Sequence, residues 1–200
     1  MVQSAPGDAV PRAGLSTTAV VDVALAVIDE QGPEALTLAA VAGRTGVAPP
    51  SLYKHVAGLA ELRMLVGARV MDEMTERFAA AAMGRSGDEA VAVLMRGYRD
   101  YVREHPARYA ALPPDPLHNP AMVAAGTRLL QVFLATLRGY GLTDSAAIHA
   151  TRCARSIAHG FASIEASGGF GLPEDLDETY EQLIAMFVAS LPRPDAPQRA

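Results

Sequence analysis

Eight residues between Thr37 and His55 have side chains suited to touching a polyanion: Thr37, Arg44, Pro49, Pro50, Ser51, Tyr53, Lys54 and His55. Lys54 brings a cation, Tyr53 a hydroxyl, and His55 a donor or acceptor for phosphate or base. Pro49, Pro50 and Ser51 are small or stiff, so the backbone they carry can come close to a duplex. Thr37 stands where a helix starts, and free N–H groups there attract anions. Arg44 adds a cation at that helix's other end. Residues 37–57 hold Arg44 and Lys54 and no acid, so this stretch is cationic within a chain whose net charge is -5.

Other reactive groupings are weaker. His149 and Cys153 share a helix face at a spacing of four, but two ligands are too few for a metal and no Asp or Glu completes the set. Cys153 lies between Arg152 and Arg155, and cations lower a thiol pKa; a small buried hydrophobe is the competing role. Gly168-Gly169-Phe170-Gly171 follows a helix instead of opening one after a strand, so it reads as a turn and not a phosphate loop. Paired carboxylates, a nucleophile elbow and a metal triad are all missing. The sequence therefore calls for no enzyme, no cofactor and no metal.

Residues 37–56 need a scaffold that turns one short helix against another. Leu38, Val41 and Ala42 form the inward face of the first. Val47, Leu52 and Val56 form that of the second, with Gly46 at the sharp turn between them. Two helices joined this way make a helix-turn-helix, whose second helix enters the major groove. The same pattern is also compatible with a helical hairpin bearing an incidental polar face.

The rest of the 200 residues reads as helix throughout. The spacing predicts helices over about 17–31, 38–45, 49–56, 59–82, 88–104, 106–112, 121–140, 145–167 and 174–191, with Ser16 or Thr17, Thr37 and Thr143 as caps. The expectation is an all-α fold: a three-helix head over 16–57, then a connector helix and a larger helical body over 58–191. Residues 1–15 read as a flexible arm and 192–200 as a disordered tail. The N-terminal stretch lacks the basic-then-apolar order of a signal peptide, and no apolar run is long enough to span a bilayer. One cysteine excludes an internal disulfide, which fits a cytoplasmic protein.

The head resembles the DNA-binding domain of the tetracycline-repressor (TetR/AcrR) family of bacterial transcriptional regulators. The resemblance is carried by Ala24-Leu25 through Gly32, Leu36-Thr37, Val41-Ala42, Thr45-Gly46-Val47 and above all Ser51-Leu52-Tyr53-Lys54-His55-Val56. Residues 157–165 with Gly168-Gly169-Phe170 are similar to the ligand-domain type named for a Trp-His-Gly triplet, with Ala158 where the tryptophan would stand. Two departures are visible: Val56 replaces a frequent aromatic, and a lysine frequent near Leu59 is absent.

The resemblance implies a homodimer on a near-palindromic double-stranded operator, usually as a repressor, released when a small lipophilic or aromatic effector binds the body. It places an effector pocket among the middle helices, where Phe78, Met95, Tyr98, Tyr101, Tyr109, Met122, Phe133, His159 and Phe161 are candidates; each can equally be plain core. It places the dimer interface on the last two helices, with Ala150, Ala154, Ala158 and Ala162 allowing close approach and Leu183, Ile184, Phe187 and Val188 as an apolar stripe. Burial within one subunit is the alternative. A helical adaptor or small-molecule binder without DNA binding, and an enzyme with a dispersed site, are the competing functions.

Overall fold

The computed structural model describes residues 15–113 and 116–193. Nearly all of the arm and tail expected from sequence lie outside these residues. Within them the chain forms nine α-helices and two 3-10 turns and contains no strand.

The head consists of α1 (Thr17–Gln31), α2 (Leu38–Thr45) and α3 (Pro49–Leu52). Ser16 caps α1 by accepting from the Ala19 N–H at 3.1 Å, and Thr37 caps α2 by accepting from the Ala40 N–H at 3.0 Å. These bonds satisfy N–H groups that have no partner inside the helix. Val20, Ala24, Leu25 and Ile28 of α1 close over Val41, Ala42, Leu52 and Val56.

One helix, α4 (Leu59–Ala82), carries the head into the body. Leu62, Val66, Val70, Met74 and Phe78 recur every four residues and form one buried stripe. At 1.5 Å per residue this helix is about 36 Å long. The stripe belongs to the same buried cluster as the head's core and as Leu94, Tyr98 and Tyr101 of α5 (Gly87–Glu104). Head and body therefore share continuous packing. Helices α6 (Pro106–Ala110), α7 (Val123–Leu137), α8 (Asp144–Ala166) and α9 (Leu176–Ser190) complete the body, with α5 at its centre against α4, α7, α8 and α9.

Several helices are shorter than their sequence pattern predicts. Helix α3 stops at Leu52 instead of reaching Val56. Pro49 and Pro50 supply no N–H, and the chain beyond tightens: Lys54 donates to the Ser51 carbonyl at 3.4 Å and His55 to the Leu52 carbonyl at 2.8 Å. The His55 carbonyl is taken by the Thr17 hydroxyl at 3.1 Å. Helix α7 starts at Val123 because Asn119 organises a turn, its side chain accepting from the Ala121 N–H at 2.9 Å. Helix α9 starts after Asp175, whose carboxylate accepts from the N–H groups of Asp177 and Glu178. Thr143 precedes α8 but makes no side-chain capping bond.

Candidate nucleic-acid interface and effector cavity

Gly46 ends α2 with φ 69°, a left-handed conformation that glycine adopts without steric cost. The turn it allows sets α3 against α1, with Leu52 and Val56 buried. The other side chains of residues 49–55 are less covered. Pro49, Pro50, Tyr53 and Lys54 are exposed, and Ser51 and His55 are half-buried. Tyr53 is a large side chain at 59% exposure, with nothing in its own subunit to cover it.

Two of the sequence candidates are less free than expected. Arg44 donates two bonds to the Glu30 carboxylate, at 2.5 and 2.6 Å. Its hydrogen bonds hold Glu30 below the usual carboxylate range. This α1–α2 pair cancels one of the two head cations, which leaves Lys54. The Thr37 hydroxyl already accepts from its own helix.

A cavity of about 560 Å³ lies in the body. Met71, Met74, Leu112, Leu129, Leu130 and Phe133 form its apolar walls. Tyr98, Tyr109, Thr151, Arg152, Arg155 and His159 form a polar side. The hydroxyls of Tyr98 and Tyr109 share a hydrogen bond at 2.5 Å, and Tyr109 meets His159 Nδ1 at 2.5 Å. Burial pushes both phenols up; at Tyr98 the Tyr109 hydrogen bond and Arg155 act against it.

Of the nine effector candidates, Tyr98, Tyr109, Phe133 and His159 line this cavity and five do not. Phe78 sits behind it, packed on the rings of Tyr98 and Phe133 at 6.0 Å. Tyr101 points away and donates to Glu73 at 2.9 Å. Met122 is fully buried where α4 comes close; a Cβ on Gly67 would stand 2.7 Å from its Cε. Met95 and Phe161 belong to a second core with Tyr180, Ile184 and Phe187. Periodicity marks a residue as inward-facing and cannot say which inward surface it meets.

One ion-pair cluster joins the cavity wall to the head. Tyr109 is preceded on α6 by Arg108, whose guanidinium grips Asp29 of α1 at 2.7 and 2.8 Å. The same group reaches Glu73 of α4 at 3.0 and 3.1 Å.

Residues 20–58 match the family described as bacterial regulatory proteins, tetR family, and residues 91–187 match the tetracyclin repressor-like, C-terminal domain. The chain is 34% identical over 183 residues to the uncharacterized HTH-type transcriptional regulator Rv0681 of Mycobacterium tuberculosis, covering 90% of this chain and 84% of that protein. It is also 34% identical over 182 residues to the uncharacterized HTH-type transcriptional regulator YobS of Bacillus subtilis, covering 90% and 95%. The chain belongs to the tetR family. Its fold is shared with ActR of Streptomyces coelicolor, solved in complex with (S)-DNPA: TM-score 0.66, 22% identity, 88% of this chain and 96% of that one. TetR family proteins are transcriptional regulators, not enzymes; they bind DNA and small molecules and act as dimers.

In this TetR family chain the residues expected at the dimer interface divide in two. Ala154, Ala158, Ala162, Ile184 and Phe187 are buried inside the subunit. The alanines let α8 lie close against α5, so their small size serves the core of one chain. Ala150, Leu183 and Val188 are half-buried. The apolar side chains left outside are Ile164 of α8 and Met186 of α9, at 44% and 68% exposure.

Sequence reading also missed Arg99. It is buried, bonded to Glu165 twice at 2.7 Å and to Asp177 at 2.8 Å, and it stacks over the rings of Phe161 and Tyr180. Its partners lie far along the chain, so no local pattern reveals it. In the sequence, Arg152 and Arg155 stand out only as neighbours of Cys153, which is exposed. Arg152 and Arg155 precede His159 by seven and four residues, which puts all three on one helical face. Among the described residues no helix is long and apolar enough to cross a membrane, and no cluster of three metal-ligating side chains occurs.

Proposed function

We propose that this regulator is a ligand-responsive repressor that binds a near-palindromic operator as a homodimer in the cytoplasm. Residues 16–57 are the reading head, and 58–191 hold the effector and the dimer contact. Tyr53 and Lys54 carry base and phosphate contacts, aided by Ser51, His55 and the backbone at Pro49, Pro50 and Thr37. Arg44 joins them when it leaves Glu30. Two heads address half-sites about one helical turn apart, roughly 34–36 Å. The outer faces of α8 and α9, with Ile164 and Met186, meet their symmetry mates.

The carrying observation is the adjacency of Tyr109 and Arg108. One residue lines the cavity and the next holds the head through Asp29. An effector that shifts α6 must shift Arg108 with it, so the head feels the occupancy of the cavity. The effector weakens DNA binding because it fits the arrangement in which the heads no longer match the half-sites.

The test is a gel shift on DNA flanking the protein's own gene. A salt-sensitive complex is expected, lost in the Tyr53→Ala/Lys54→Ala variant while sedimentation still shows a dimer. No complex at low salt would refute the operator reading. An undiminished complex with the variant would refute the assignment of this face.

A further inference from the structure

Fourteen arginines fall within the described residues, and ten of them are paired to carboxylates. The four without such a partner there are Arg63, Arg138, Arg152 and Arg155. Two of these four line the same cavity. They stand on one face of α8, a turn apart and one turn before His159. Among the described residues no Asp or Glu lines the cavity to neutralise them.

The rest of the polar side has the same character. Tyr98 and Tyr109 offer hydroxyls linked to each other and to His159. The Thr151 hydroxyl is already committed to the Ala147 carbonyl at 2.9 Å. Arg152, Arg155 and His159 are exposed at the mouth, whereas Met71, Met74 and Phe133 of the apolar lining are buried. This order suits a molecule whose charge stays near water while its tail is buried, since a charge buried without partners is costly. Guanidinium groups match carboxylates through paired, charge-assisted hydrogen bonds.

We infer that the effector is a lipophilic carboxylic acid, its carboxylate held at the mouth by Arg152 and Arg155 with the Tyr98–Tyr109–His159 chain, and its tail among Met71, Leu129 and Phe133. This rests on the reading of the cavity as the effector site. A neutral lipophile fills the apolar part but gives the two guanidinium groups no carboxylate partner. A lipophilic cation is repelled.

The experiment uses the full chain without DNA. Calorimetric titration compares decanoate, 1-decanol and decylammonium, which share one tail. Decanoate is expected to bind once per subunit, at least about tenfold tighter than decanol, with decylammonium weakest. In the Arg152→Gln/Arg155→Gln variant the advantage of decanoate over decanol should disappear while decanol affinity stays the same. Both side chains are exposed, so the fold is not at stake, and an unchanged circular dichroism spectrum checks this. Decanol or decylammonium binding as tightly as decanoate would overturn the inference, as would a preference retained by the double variant. Gel shifts with the same three compounds separate the two proposals. Decanoate that binds without loosening the operator complex would refute effector release and leave the acid preference standing. Release by decanol as effective as by decanoate would do the reverse.

Discussion

Replacing Asp29 with Asn should weaken the link between cavity and head by a calculable amount. Asp29 accepts two bonds from Arg108, at 2.7 and 2.8 Å. Charged hydrogen bonds contribute about 1.5–3 kcal/mol each when well shielded. The Asp29 side chain is 36% exposed, so screening removes much of this and about 1–2 kcal/mol remains for the pair. Arg108 keeps Glu73 in the variant, so no guanidinium is stranded. A double-mutant cycle of Asp29→Asn and Arg108→Gln, read by urea unfolding, should give a coupling of about 1–2 kcal/mol. The pH dependence has a definite sign. The Arg108 hydrogen bonds hold the Asp29 carboxyl below its ordinary value of 3.8. The stabilisation is therefore full above pH 3.8 and fades as pH falls through the lowered folded value. The same variant should reduce the effector's influence on operator affinity by about five- to thirtyfold. A coupling within about 0.3 kcal/mol of zero would refute the bridge, as would an effector response identical to that of the parent protein.

Glu30→Gln should steepen the salt dependence of operator binding. With Lys54 as the only free head cation, a dimer neutralises two phosphates and the slope of log K against log salt is about -1.8; with Arg44 released it becomes about -3.6. Fluorescence anisotropy across a salt series reads this directly, and an unchanged slope would mean Arg44 never reaches the backbone. Ile164→Glu with Met186→Glu should give a folded monomer in sedimentation, whereas Ala158→Val should lower the stability of each subunit by about 1–3 kcal/mol through overpacking. Dissociation by Ala158→Val without loss of stability would return the alanines of α8 to the interface.

Much of the scaffold could be read from residue order because its causes are local. Helices over 17–31, 38–45 and 59–82 have the predicted bounds, each set by a cap, a glycine or an i+4 stripe. Helix α3 differs because an inward Val56 is compatible with both a helix and a tighter turn; the structure has the turn, with the Thr17 hydroxyl donating to the His55 carbonyl. The face of the head was legible for Tyr53 and Lys54, which nothing covers. It was misleading for Arg44, whose partner Glu30 lies on another helix. In the body, inward periodicity found Tyr98, Tyr109, Phe133 and His159 together with five residues that face solid core. Separating them requires knowing where packing leaves a void, which depends on several helices at once.

Charge is more informative here when followed by pairing than when summed. A net charge of -5 opposes DNA binding when read as a sum, and the +2 of residues 37–57 favours it. Neither figure survives contact with geometry, because Arg44 is neutralised by Glu30 of α1. The acids instead pair most of the arginines: Asp29 and Glu73 take Arg108, Glu165 takes Arg99, Glu181 takes Arg96. Such pairs hold helix to helix and leave those cations neutralised within the protein. Among the cations without a carboxylate partner, Lys54 and the Arg152–Arg155 pair stand on the two surfaces proposed to receive an anion. Lys54 stands beside Tyr53 on the head, where no neighbour of the same chain covers them. Arg152 and Arg155 stand at the mouth of an otherwise apolar cavity. Between these two anion-seeking surfaces lies Arg108, whose carboxylate partners come from the head and from the connector. In the proposed function, occupying the cavity acts on the residue beside Arg108, and the route from effector to operator runs through a pair of charges already satisfied within the chain.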